Sequence, residues 1–208
     1  MRKPRADEPK PIRLLDEHPA TDYNRLIIRY PYRTDSDYAF AYHEAAKRLA
    51  ASFRGEAIDD TILIPYLMLY RHAFELQLKS MVRQLAAWRR YYEREYGVEV
   101  NAASVEERLK ASHGHVLHKV LNELQKHYSA IEPSQPFPES VERLILAFHE
   151  ADKSGMAFRY TGYLPDTQER VDFHHLREHL DDQFDLLRVV LDPIEAGYDA
   201  MPDPDEYM

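Results

Sequence analysis

Cysteine is absent from the 208 residues, so the chain can form neither disulfides nor thiolate metal sites. Long apolar runs are missing as well. The longest, Ile62 to Tyr70, contains Pro65 and is closed by Arg71, well short of the roughly 20 residues that span a bilayer. No glycine-rich phosphate loop, hydrolase nucleophile elbow or paired-carboxylate motif is present, which disfavours kinases, Rossmann enzymes and α/β-hydrolases. Basic excess is lacking too: 27 Lys and Arg stand against 36 Asp and Glu, a net charge of −9. A surface coated in phosphate contacts is therefore disfavoured, although a local basic patch can still bind nucleic acid. With no charged-apolar-small leader ahead of the first structured segment, a cytoplasmic protein with no membrane association is expected.

What remains is 44% apolar content in a length that suits one core with appendages. Residues 1–34 read as an extended N-terminal arm, basic and broken by Pro4, Pro9 and Pro11. Residues 192–208 are acidic, without Lys or Arg, and read as a flexible tail. Between them the pattern predicts an all-α, up-and-down bundle of about five helices over 35–191. The first helix is capped by Asp35 or Ser36 and carries a stripe of Phe40, Ala41, Ala45, Leu49 and Phe53. The second is long and central, running from Asp59 or Asp60 towards Glu95, with its half beyond Arg83 projecting past the core. Residues 97–112 read as a connection. Helices from Ser112 or His113, from Pro138, and from Asp172 to Leu191 follow, with a small loop or β-hairpin over 158–171.

The central helix holds the most informative residues. Arg71, Glu75 and Lys79 follow one another at i,i+4 and form a ladder of alternating charge inside an apolar helix, with His72 beside it. Charges in such a place need partners, so the ladder either organises the bundle or lines a cleft. Ala151 to Tyr160 adds a helix end, a Gly155 turn and Arg159 between aromatics. There Arg159 either grips a phosphate or clamps onto Glu75 or Asp152.

Tyr70-Arg71-His72-Ala73-Phe74-Glu75-Leu76-Gln77-Leu78-Lys79 on a central helix, Gly114-His115-Val116-Leu117 opening the next, and an amphipathic last helix together resemble a HEPN-like bundle over roughly residues 37–191. The resemblance implies a four-helix core, a homodimer, and a place in antiphage-defence, toxin-antitoxin or RNA-processing systems of bacteria. It further implies metal-independent RNase activity, although some relatives are noncatalytic modules that bind a protein partner. The family's signature is an Arg, usually followed by a polar residue, then a His after about four to six positions. Arg170 and His175 match best, with Val171 in place of the polar residue.

The candidate catalytic residues are therefore His175 or His149 for proton transfer and Arg170 or Arg159 for the charge developing on phosphorus. Arg71, His72, Glu75, Lys79, His115 and Tyr160 are the candidate ladder and binding residues. Each His has a plainer reading as a surface or interhelical group holding a carboxylate. The clusters His113, His115, His118 and His175-Leu176-Arg177-Glu178-His179 are weak imidazole-ligand patterns, and neither a metal nor a cofactor is expected. RNA and a protein partner are both candidate ligands.

Overall fold

A computed structural model describes residues 34–131, 133–163 and 170–201. The N-terminal arm, apart from Thr34, and the end of the acidic tail lie outside these residues. Helix α1 (Asp35–Ala50) begins one or two residues earlier than a cap at Asp35 or Ser36 would place it, because Thr34 and Asp37 form a reciprocal capping box. Its buried face is Ala39, His43, Ala46 and Ala50, one position out of register with the expected stripe. Small side chains let α1 lie close against the central helix. Phe40 stays 43% exposed and packs under the Arg188 guanidinium, 4.8 Å from its ring centre.

The central helix is α2 (Asp60–Tyr91), with Pro65 tolerated near its start. It packs against α1, α3 (Ala102–Glu107), α4 (Leu117–Ala130) and α6 (Phe173–Val189), while α5 (Glu139–Ala151) packs on α4 and α6. Tyr66, Tyr70, Phe74, Leu78 and Leu85 of α2 are buried beside Leu121, Leu124, Ile145 and Phe184 of its neighbours. The described residues are all helix, turn and loop without a strand, and none of their helices is long and apolar enough to cross a membrane.

Three expectations from the sequence are corrected. The 97–112 connection contains α3 and then a π-helical segment, Arg108–His113, anchored by buried Val105 and Leu109. The tail is ordered at its start as α7 (Asp192–Asp199), with Pro193 in its first turn. Tyr198 stacks on Tyr92 at 4.3 Å, lies 5.5 Å from Trp88 and donates to Glu93, so the end of α2 is covered by α7 and does not project freely. Of the loop and hairpin readings of 158–171, the described first part is a loop, a turn followed by a 3-10 helix at Thr161–Tyr163, because its amides are used locally: those of Arg159 and Tyr160 donate to the Met156 carbonyl. The hairpin's turn and most of its second arm lie outside the described residues.

Phe184 is fully buried between Phe74 and His43, its ring centre 5.3 Å and 4.4 Å from theirs. Phe184→Ala is expected to cost about 3–5 kcal/mol through lost transfer energy and a residual cavity. In a denaturant titration this appears as a lower midpoint with an unchanged slope.

Candidate active site

The α2 ladder is buried, and its partners come from two other parts of the chain. Glu75 accepts from Lys79 at 2.7 Å and from His115 Nδ1 at 2.9 Å on Oε1, and from Arg71 Nη1 at 3.2 Å on Oε2. Arg71 Nη2 donates to the carbonyls of His115 at 2.8 Å and Asp152 at 3.1 Å. Its Nε lies 2.8 Å from Asp152 Oδ2, a close ion pair whose angle falls outside hydrogen-bond geometry. The other Asp152 oxygen accepts from the amides of Met156 and Ala157 at 2.7 and 2.9 Å, folding the chain after α5 into a tight turn. Burial pushes the Glu75 carboxyl upward, but Lys79 and then His115 outweigh it and hold Glu75 below the ordinary glutamate value.

Gly155 completes the turn with φ at +81°, a conformation open to glycine. A Cβ here would lie 2.8 Å from the His115 Cβ and 3.4 Å from both terminal nitrogens of Arg71. The glycine is therefore required both by the backbone and by the packed guanidinium.

His115 is brought to Glu75 by the π-helical segment and by Gly114, which turns the chain at φ 53° and ψ −116° before α4. The segment is braced from beneath: Glu123 accepts from Arg108 at 2.6 Å and lies 3.3 Å from His127 Nε2, while Arg89 donates to His127 Nδ1 at 2.8 Å. The His115 side chain is 50% exposed. Glu75 holds its Nδ1 and leaves Nε2 towards solvent, the arrangement that makes an imidazole a directed base. Arg159 is exposed and has no side-chain hydrogen bond or ion pair among the described residues; burial, and to a lesser degree the Arg159 charge, disfavours protonation of both Arg71 and His72. His72 is half-buried, with Nδ1 unpartnered and its ring edge-on to Tyr42 at 4.4 Å; burial lowers its pKa. Tyr160, 56% exposed, follows Arg159. Arg71 and Lys79 thus balance the two carboxylates Glu75 and Asp152, and the exposed Arg159, whose charge Arg71 and His72 feel, adds a further positive charge at this end of the network.

The other sequence candidates are elsewhere or differently paired. His149 faces His118, not a carboxylate or an arginine, with His118 Nδ1 and His149 Nε2 2.8 Å apart. Arg170 lines a surface hollow with Glu56, Asp59 and Asp60. His175 is exposed in the first turn of α6, with its amide donating to Asp172 and its ring 6.4 Å from that of His179. No hydrogen bond joins Arg170 to His175. Asp152, weighed in the sequence as a partner of Arg159, pairs with Arg71. Among the described residues no three His, Asp or Glu side chains converge as a metal site. The chain matches no protein-family model, no curated protein and no solved structure.

Asp152→Ala leaves Arg71 buried at 3% exposure with one carboxylate fewer and strips the turn of its acceptor. The expected loss is about 3–5 kcal/mol of stability, read by chemical denaturation. Because the folded Glu75 pKa is depressed, its contribution is complete above the ordinary value of 4.5 and is lost as pH falls through the lower folded value. Acid titration of stability in Glu75→Gln should accordingly be flatter below about pH 4.5 than in the wild type.

Proposed function

We propose that the chain is a HEPN-like, metal-independent endoribonuclease of a bacterial defence or toxin-type system, acting in the cytoplasm as a homodimer. In this reading α2, α4, α5 and α6 are its up-and-down core, and His115 is its base. The observation that carries the reading is one imidazole, fastened at Nδ1 to the buried Glu75 and open at Nε2, beside Lys79, with the exposed Arg159 four residues beyond the Gly155 turn that packs on His115. Cleavage of RNA needs a group that removes the 2′-hydroxyl proton and cations that stabilise charge on the phosphate. His115 supplies the first. Arg159 is free to grip the phosphate, Lys79 adds charge at the rim, and exposed Tyr160 offers a face for a base. Arg71 has a different task, because its donors are committed to Glu75, Asp152 and the His115 carbonyl.

A second reading, a noncatalytic module that binds a protein partner, is favoured by a different feature. A cavity of about 410 Å³, open to the surface, is lined by Ile131, Pro133, Leu186, Val189 and Ile194. Such a hollow accepts apolar side chains.

The two readings separate in a cleavage assay on total RNA in EDTA. Wild-type protein is expected to cut the RNA as well in EDTA as without it. His115→Ala should lose about 10²–10⁴-fold in rate, and Arg159→Ala should chiefly raise KM. Intact RNA after incubation with well-folded monomer-sized and dimer-sized fractions overturns the RNase reading and leaves the binding module.

A further inference from the structure

Transfer of an RNA phosphate requires a proton acceptor at the 2′-oxygen and a proton donor at the departing 5′-oxygen. His115 serves the first role in the reading above, on which this inference rests. We infer that His118 is the general acid of the same site and that His149 is the residue that positions it.

The two imidazoles are built alike. His115 is fastened at Nδ1 by Glu75 and His118 at Nδ1 by His149, and in each ring Nε2 has no hydrogen-bond partner among the described residues and is not buried. They stand three residues apart across the start of α4, so one short stretch of backbone presents both. What differs is the group behind each ring. Glu75 is a carboxylate, which favours an imidazole that takes up a proton. His149 is a second imidazole, and only one proton fits between two nitrogens 2.8 Å apart. If that proton sits on His118 Nδ1, His149 accepts it while carrying its own proton on Nδ1, which is buried without a partner. Burial disfavours a charged His149, and the charges of His118 and then Lys153 and Arg71 push the same way, against Glu150. His118 is therefore the ring of the pair whose Nε2–H can face outward, because the second nitrogen of His149 is buried. Asp152, three residues beyond His149, belongs to the buried network, so the pair stands at its border.

The step balances. His115 Nε2 takes the 2′-hydroxyl proton as the 2′-oxygen bonds to phosphorus, the bond from phosphorus to the 5′-oxygen breaks, and His118 Nε2–H gives its proton to that oxygen. The products are a 2′,3′-cyclic phosphate and a 5′-hydroxyl. Exchange with water returns both rings to their starting states.

An oligonucleotide whose departing 5′-oxygen is replaced by sulfur tests the assignment, because a thiolate leaves without being protonated. His118→Ala is expected to slow cleavage of the ordinary oligonucleotide by about 10²–10⁴-fold and to cleave the sulfur substrate at close to the wild-type rate. His115→Ala should be slow on both. His149→Ala should show a smaller loss that sulfur also rescues. His118→Asn, which retains a polar group facing His149, repeats the test should the alanine variant fold poorly. Equal impairment of both His118 variants on the two substrates, or no impairment on ordinary RNA, overturns the assignment while leaving the RNase reading intact. If wild-type protein cleaves neither substrate, the RNase reading falls and the assignment falls with it.

Discussion

A guanidinium at 3% exposure in the middle of the central helix is the constraint from which the rest of this structure can be followed. Arg71 cannot lose its charge, so the fold must answer both the charge and the donors. Glu75 one turn along supplies one carboxylate, Asp152 after α5 supplies another, and the carbonyls of His115 and Asp152 take the remaining fork. Each partner comes from a different stretch of chain. The arginine therefore sets where the α5 turn and the loop before α4 must meet α2.

That junction also determines what is exposed. Because the Glu75 carboxylate is already held by Arg71 and Lys79, the imidazole docking on it is gripped at one nitrogen by a group with nowhere else to go. Gly155 lets His115 and Arg71 approach within van der Waals distance, and Gly114 turns the backbone to present the ring. The residues that answer the buried charge thus also hold the exposed imidazole. A change that loosens the buried network also loosens His115.

A second polar junction ties α2 to α1 and α6. Asp181 of α6 accepts from the Tyr70 hydroxyl and lies 3.0 Å from His43 Nε2 of α1, linking three helices through one carboxylate. Burial, then the bond to Asp181, keep the Tyr70 hydroxyl protonated far above the ordinary tyrosine range. Apolar packing of Phe74, Phe148 and Phe184 fills the space between this junction and the Arg71 network. Two charged clamps with an aromatic core between them specify how the helices sit together, where apolar contacts alone would tolerate sliding.

The helical class, the central position of α2 and the charge ladder of Arg71, Glu75 and Lys79 were legible in the chain because they depend on local spacing. An i,i+4 ladder in an apolar helix needs no tertiary information to be recognised. The register of α1 was misread because alanines carry little pattern, although they are what permits close approach. Helix α7 was missed because its acidic, proline-containing sequence signals solvent, and only contact with Trp88 and Tyr92 gives it a surface to fold on. Arg170 with His175 fits a spacing rule, yet spacing along one chain says nothing about whether two side chains turn towards each other. The sequence by itself determined that buried charge must sit in α2. Tertiary structure decided that Asp152 and His115 answer it, and that His118 faces His149, because those pairings join segments 31 to 81 residues apart.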